Sequence, residues 1–185
     1  MKALIVVDLQ YDFMPGGSLP VPEGDKIYQQ INTIRDSFDL VVFTSDWHPA
    51  NHCSFKENGG IWPVHCVQYT EGAQIDKRVI RNNDIVITKG VNQDVDSYSG
   101  FWDNERKHKT DLDSILLMRK IDTVYVCGLA TDYCVKFTAL DAKELGYNTY
   151  VITDACKGVN MNPGDVEKAI KEMKEKNIHT ILSIA

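Results

Sequence analysis

Short apolar runs that alternate with helical segments constrain the fold of this chain more strongly than any other feature. The first run, at 2–7, is almost continuously apolar, as is typical of strands buried on both faces of a parallel sheet. Five further strands are predicted at 40–45, 84–88, 123–127, 148–153 and 179–184. Because helices or loops separate these runs, we predict a three-layer α/β/α fold. Its sheet is doubly wound, parallel and six-stranded, with order 3-2-1-4-5-6 and right-handed crossovers.

Helix signals occupy several of the gaps between the predicted strands. From 23 to 38, Ile27, Ile31 and Ile34 recur on one helical face, which predicts the first crossover helix. The last helix is predicted to begin with Asn162 as its N-cap and Pro163 at its first position. The irregular stretch at 46–67 is longer than an ordinary connection, and such loops are usually functional.

The composition limits the classes of protein to consider. The 185 residues are 43% apolar, enough for one sizeable core, and we expect a single domain over 1–185. Five cysteines without a CxxC pair argue for reduced thiols and against a disulfide framework. A formal charge of −6 without a basic stripe argues against nucleic acid, and no apolar run has membrane-spanning length. With no signal-peptide pattern after Met1, we expect a cytoplasmic protein that acts on a small molecule.

The segment 124–135 predicts a nucleophile. It combines an apolar strand, a turn at Gly128 and a helix start at Thr131 or its neighbour, so that Cys134 falls in the first helical turn. There, free backbone N–H groups and the positive end of the helix dipole favour a thiolate and can hold a developing oxyanion. An inert cysteine packed beneath the helix fits the same pattern.

Three other reactive side chains end strands of the predicted sheet. Asp8 follows strand one, Asp46 follows strand two and Lys89 follows strand three. In an open α/β sheet, the ligand crevice lies at the carboxyl ends of the strands, where the strand order reverses. A carboxylate there can take the thiol proton and hand it to a leaving amine, while an ammonium stabilises charged intermediates. Each residue alone also fits a turn or a solvated strand end, but their shared position favours catalysis.

The loop after strand two offers a metal site. Residues i and i+2 of an extended chain point to the same side, so Asp46 and His48 are placed to bind one ion. His65 would complete a set of two histidines and one carboxylate, which leaves coordination positions for water or substrate. His52 is a further candidate whose direction the sequence does not show. Loop histidines also serve as hydrogen-bonded structural groups.

Aromatic residues lie in the loops that would overhang this crevice. They are Phe13, Trp62 and Tyr98. Such rings can sandwich a flat heteroaromatic ligand, and Phe13 and Trp62 fit a role in covering the core equally well. The sequence leaves both interpretations open.

Five motifs resemble one known family. They are VDLQYDF at 7–13, DWHPANHCSF at 46–55, WPVHCV at 62–67, TKG at 88–90 and GLATDYCV at 128–135. Together, in this order and over nearly the whole chain, they resemble the nicotinamidase/pyrazinamidase branch of the isochorismatase-like cysteine hydrolases. The DWH and WPxHC motifs are marks of this branch among relatives of the same fold.

The resemblance implies a role for each candidate residue. Asp8, Lys89 and Cys134 would form the catalytic triad, and Asp46, His48 and His65 would bind one divalent ion. Zinc would be the preferred ion, with iron and manganese as alternatives. A cis peptide bond before Ala130 would let the N–H groups of Ala130 and Cys134 form an oxyanion hole. Phe13, Trp62 and Tyr98 would pack around the substrate ring.

The implied reaction is hydrolysis of nicotinamide to nicotinate and ammonia through a thioester on the cysteine. It belongs to NAD salvage, and pyrazinamide is expected as a second substrate. One alternative is another small-molecule hydrolase of the same fold, of the isochorismatase or N-carbamoyl amidase type, against which the metal loop argues. A non-catalytic binding protein is a third hypothesis, against which the complete triad argues. Formation of a homo-oligomer stays open.

Overall fold

The structure is a computed structural model that describes residues 1–183. Within this range, six strands form one parallel sheet of order β3-β2-β1-β4-β5-β6, which confirms the predicted topology. The strands are β1 (Lys2–Val7), β2 (Leu40–Asp46), β3 (Ile85–Lys89), β4 (Thr123–Leu129), β5 (Asn148–Lys157) and β6 (His179–Ile181). The strand predicted at 179–184 is thus shorter than expected, and its final position lies outside the described residues.

Four α-helices connect these strands in the described part of the chain. They are α1 (Tyr28–Ile34), α2 (Leu112–Met118), α3 (Lys136–Glu144) and α4 (Asp165–Glu175). Short 3₁₀ turns flank α1 on both sides, so the helix predicted at 23–38 consists of three consecutive segments. Right-handed crossovers place α1 on one face of the sheet and the other three helices on the opposite face. None of these four helices combines the length and apolar composition needed to cross a membrane.

The centre of the sheet positions the site. β1 lies between β2 and β4, and its residues from Ala3 to Val7 are fully buried. The strand order reverses there, so the crevice of the fold opens at the carboxyl ends of β1 and β4. The pairing of β2 with β3 sets Asp46 directly beside Lys89 at this edge. Asp8 follows β1 with a left-handed backbone conformation, φ +51°, where the chain leaves the sheet.

β5 is longer than the strand predicted at 148–153. After a shift in register, Cys156 pairs with Gly128 and Lys157 pairs with Leu129. The strand therefore continues for as long as β4 offers it a neighbour. This extension carries the loop after β5 to the carboxyl edge of the sheet, beside the turn that follows β4.

The predicted start of the last helix is wrong. α4 begins at Asp165, and its N-cap is Gly164, with φ +90°. The segment before it is a loop held by side chains: the Asp165 carboxylate accepts the backbone N–H of Asn162 at 2.9 Å. The side-chain oxygen of Asn160 accepts the backbone N–H of Val166 at 3.0 Å. Such local side-chain bonds offer the backbone an alternative to helical bonds, so the expected cap at 162–163 does not form.

Candidate active site

A buried cysteine, a carboxylate and a lysine meet at the carboxyl edge of the sheet. Lys89 Nζ lies 3.0 Å from Asp8 Oδ2 and 3.5 Å from Cys134 Sγ. All three side chains are less than a tenth exposed. The structure therefore brings together the three residues predicted as a triad, although they lie far apart in the sequence.

The carboxylate of Asp8 has one oxygen occupied and one available. Oδ1 accepts the hydroxyl of Thr44 at 2.6 Å. Oδ2 has no hydrogen-bond partner among the described residues, since its approach to Lys89 lacks hydrogen-bond geometry. Burial raises the pKa of Asp8, and the Lys89 ammonium only partly opposes this effect. Oδ2 is therefore placed to accept and hold a proton beside the thiol.

Cys134 lies in an unusually wide helical turn. Residues Thr131–Val135 form a π-turn, in which the Ala130 carbonyl accepts the N–H of Val135 at 3.1 Å. Such turns often occur at functional sites. Burial raises the pKa of the Cys134 thiol well above its usual value, and the Lys89 ammonium acts in the opposite direction. Desolvation of the sulfur therefore opposes the thiolate that the helix start is expected to favour.

The predicted oxyanion hole lies at the start of this turn. The peptide bond between Leu129 and Ala130 is cis, as the resemblance implied. Ala130 and Cys134 both line the same pocket. The role of their N–H groups stays a prediction.

Lys89 joins this cluster to a second group of side chains. Its ammonium donates to Asp46 Oδ1 at 2.5 Å and to the Ser97 carbonyl at 2.8 Å. Burial alone would lower the pKa of Lys89, but the carboxylates of Asp46 and Asp8 raise it well above its usual value. Lys89 therefore remains an ammonium that compensates two buried carboxylates.

Asp46, His48 and His65 form the predicted metal-binding group. Each offers a ligand atom, and these atoms lie within 4.8 Å of one another. The Nδ1 atom of His48 lies 2.8 Å from the Gly90 carbonyl, and that of His65 lies 2.7 Å from the Pro63 carbonyl. When Nδ1 donates to a carbonyl, Nε2 is left as the metal ligand, and such second bonds orient histidine ligands. One carboxylate and two oriented imidazoles fit a divalent metal ion.

Position 90, whose backbone carbonyl contacts the His48 ring, requires a glycine. Its φ of +61° is left-handed, and an added Cβ would lie 2.4 Å from His48 Cε1. Only glycine therefore lets the backbone carbonyl approach the imidazole so closely.

His52, which the sequence left open, lies against this group. Its ring stacks on His48 with centroids 4.0 Å apart. Its Nδ1 lies 2.7 Å from Ser54 Oγ and its Nε2 lies 3.2 Å from the Val95 carbonyl. His52 also forms a possible ligand group with His48 and Asp96, but both its ring nitrogens already have partners. Burial lowers the pKa of His52 to about 4, so it is a neutral support behind His48.

Gln10 and Asp12 support the metal-binding group, and sequence reasoning missed both. The buried Gln10 side chain donates to the Asp46 carbonyl at 2.7 Å and accepts the Asp46 N–H at 2.7 Å. Asp12 Oδ2 accepts the N–H of Cys66, the residue after a histidine ligand, at 2.7 Å. The sequence did contain a signal for these two residues, because polar side chains occupy alternate positions directly after the buried strand β1.

One pocket connects the two groups. The predicted aromatic residues Phe13, Trp62 and Tyr98 line it together with Asp8 and Cys134. Trp62 Nε1 donates to the Tyr98 hydroxyl at 3.2 Å, which fixes both rings. Sequence reasoning missed six further lining residues: Leu19, Val21, Asp96, Leu129, Tyr133 and Val159. Only Tyr133, next to the cysteine, carried a signal in the sequence.

A parallel α/β sheet that gathers a thiol, a carboxylate and a lysine at its carboxyl edge is typical of a hydrolase with a cysteine nucleophile. The chain belongs to the isochorismatase family, since residues 2–185 match the Isochorismatase domain. This result confirms the family resemblance of the five motifs.

Three relatives specify the similarity further. The nicotinamidase of Escherichia coli strain K12 is 47% identical, over 93% of this chain and 90% of that protein. The crystal structure of pyrazinamidase from Pyrococcus horikoshii in complex with zinc is 46% identical, covers 98% of both chains and has a TM-score of 0.87. The yeast nicotinamidase bound to the inhibitor nicotinaldehyde is 35% identical, covers 98% of this chain and 100% of that chain, and has a TM-score of 0.94.

Proposed function

We propose that this protein is a metal-dependent cysteine amidohydrolase that converts nicotinamide to nicotinate and ammonia, a reaction of NAD salvage, and that it also hydrolyses pyrazinamide. One observation carries the proposal: Cys134 and Asp8 open into the same aromatic-lined pocket as Asp46 and His65. A nucleophile and a group able to bind a ring nitrogen thus face one small ligand. The similarity to nicotinamidases over the full chain supports this substrate.

The first half of the reaction acylates the enzyme. Asp8 Oδ2 takes the proton of the Cys134 thiol while the sulfur attacks the carboxamide carbon. The backbone N–H groups of Ala130 and Cys134 receive the negative charge that develops on the carboxamide oxygen. Asp8 then returns its proton to the leaving nitrogen, and ammonia departs as the C–N bond breaks. A nicotinoyl thioester remains on Cys134.

The second half releases the acid. Asp8, again a carboxylate, takes a proton from water as the water oxygen attacks the thioester carbon. The C–S bond breaks, the sulfur regains a proton from Asp8, and the nicotinic acid that is formed gives up its own proton to solvent to become nicotinate. Throughout both halves the Lys89 ammonium compensates the charges of Asp8 and of the sulfur, from which it lies 3.0 Å and 3.5 Å away.

Asp46, His48 and His65 would hold the ion, for which we propose zinc. An ion held there would supply a Lewis acid for the pyridine nitrogen of the substrate. Phe13 and Trp62 then pack against the ring and exclude water. A ring held at its nitrogen end by this group and on its faces by the aromatic side chains would present its carboxamide to Cys134.

The decisive experiment measures ammonia release from nicotinamide by the purified protein. We expect turnover, its loss on treatment with a chelator, and its recovery on addition of zinc. Cys134→Ser should be inactive, whereas Cys53→Ser, which changes a half-buried thiol outside the pocket, should retain activity. Absence of ammonia release from the zinc-loaded protein would refute the proposal.

The alternative hydrolases of the same fold are not favoured, because the metal-binding group and the relatives both point to nicotinamide. Two expectations stay predictions: a single hydrolase domain over 1–185 and a cytoplasmic location. Formation of a homo-oligomer stays open. A small-molecule substrate is supported, as the pocket is lined mainly by aromatic and aliphatic side chains.

A further inference from the structure

The loop after β5 forms one wall of the pocket. Val159 lines the pocket together with Cys134 and Tyr133. Two residues further on, the Met161 sulfur accepts the Tyr133 hydroxyl at 3.1 Å. This loop therefore limits the space that a ligand on the cysteine can occupy, although it contributes no reactive group.

Asp132 holds that wall in place. Its side chain is only 7% exposed, and it lies two residues before Cys134 in the same π-turn. Oδ1 accepts the N–H of Val159 at 2.9 Å and Oδ2 accepts the N–H of Asn160 at 2.7 Å. Hydrogen bonds to a charged acceptor are among the stronger ones in proteins. One carboxylate thus binds two consecutive backbone groups of the wall.

Glycine at position 158 leaves room for the Asp132 carboxylate. An added Cβ at Gly158 would lie 3.0 Å from Asp132 Oδ1 and 2.1 Å from a methyl carbon of Val166. On the far side, Asn160 bonds the first turn of α4 through Val166 at 3.0 Å. The loop is therefore fixed at both ends, to the turn of the nucleophile and to α4.

We propose that Asp132 determines the size of substrate that the enzyme accepts, because it sets the separation between Cys134 and the wall at Val159. This inference rests on the proposed function for the identity of the substrate. The nucleophile and the carboxylate belong to one turn, and the two hydrogen bonds from Val159 and Asn160 to Asp132 tie the wall directly to that turn. Asp132 is a positioning residue, and Val159 is the residue that excludes larger rings.

The expected consequence is selectivity against ring-methylated nicotinamides. One methyl group in an apolar pocket changes discrimination by about 10- to 200-fold. Val159→Ala should therefore raise kcat/KM for at least one ring-methylated nicotinamide, relative to nicotinamide, by about tenfold or more. Val159→Leu should lower the same ratio. Asp132→Ala should raise the ratio, since the wall loses both of its bonds to the turn of the nucleophile at Asp132.

A matched control separates positioning from general loss of stability. Asp103 is also 7% exposed, and its carboxylate accepts the backbone N–H groups of Lys107 and His108, each at 2.9 Å. It holds a loop that does not line this pocket. Asp103→Ala removes a carboxylate of the same burial that also binds consecutive backbone N–H groups, and it should leave the selectivity ratio at the wild-type value.

A second readout does not depend on turnover. The rates of modification of Cys134 by N-methylmaleimide and by the larger N-phenylmaleimide are measured by peptide mass spectrometry, which distinguishes Cys134 from the other thiols. The rate with N-phenylmaleimide divided by the rate with N-methylmaleimide should rise in Asp132→Ala and Val159→Ala. It should stay at the wild-type value in Asp103→Ala.

Wild-type ratios in both Val159→Ala and Asp132→Ala would overturn the proposal, as would an equal shift in Asp103→Ala. If Asp132→Ala does not fold, the opposite shifts expected for Val159→Ala and Val159→Leu decide the question. If the wild-type protein releases no ammonia from nicotinamide, the proposed function falls. The maleimide ratios then still test whether Asp132 and Val159 limit the space at Cys134.

Discussion

Replacing Gly90 by alanine should weaken metal binding while leaving the sheet intact. The new methyl group would lie 2.4 Å from Cε1 and 2.6 Å from Nδ1 of His48. An ordinary contact between such atoms is about 3.5 Å, so the imidazole must retreat by about 1 Å. Its other sides are closed by the stacked ring of His52 and the edge of Phe55, with centroids at 4.0 Å and 5.7 Å.

The size of the effect has two parts. A left-handed backbone costs an alanine about 1–2 kcal/mol of folding stability. Displacement of His48 also breaks its 2.8 Å bond to the Gly90 carbonyl. Loss of such an outer partner lowers metal affinity by about 10- to 100-fold, which corresponds to about 1.4–2.7 kcal/mol.

Gly146→Ala separates the two parts. Gly146 also has a left-handed φ, +95°, but nothing lies within 4 Å of its added Cβ. Thermal unfolding should show that both variants lose stability. Competition with a chelator of known affinity should show weaker zinc binding in Gly90→Ala alone.

Full zinc affinity in Gly90→Ala would refute the assignment of the Gly90 carbonyl as the partner that orients His48. An equal loss of affinity in Gly146→Ala would also refute it, because the effect would then arise from the backbone and not from the imidazole.

Three further predictions concern the chemistry. Cys134→Ala should stay folded and release no ammonia, while wild-type protein quenched during turnover should carry a nicotinoyl adduct on Cys134 in a mass spectrum; full activity of the variant would exclude the cysteine mechanism. Asp8→Asn should lower kcat by about 10²- to 10⁴-fold in a steady-state ammonia assay, since it removes proton transfer to and from the thiol; near-normal turnover would mean that another base serves the sulfur. His65→Ala should lose bound metal in elemental analysis and most of the preference for nicotinamide over benzamide, which has no ring nitrogen; an unchanged preference in the metal-free variant would exclude anchoring of the ring by the ion.

The positions of the catalytic side chains illustrate what a sequence determines. The run at 2–7 is apolar on both faces, and this burial alone specifies a central parallel strand. Once the strand order is inferred, the residues at the carboxyl ends of the parallel strands must lie at one edge of the sheet. Asp8 and Lys89 were therefore predictable from their order along the chain.

Other features depended on atoms that are distant in the sequence. The loop position of His52 did not show that Ser54 and Val95 already occupy its ring nitrogens. The helix start at Cys134 suggested a thiolate, whereas burial in the folded protein raises the pKa of the thiol.

The sequence also did not predict that Val159 forms part of the pocket wall or that Asp132 holds this wall. Neither residue carried a pattern that pointed to a wall, because their contact joins segments 27 residues apart. The sequence by itself determined the sheet, the family motifs and the edge at which reactive groups gather, since periodic burial is a local property of each segment. Tertiary structure alone decided hydrogen-bond partners, desolvation and the shape of the pocket, because those depend on which distant segments pack together.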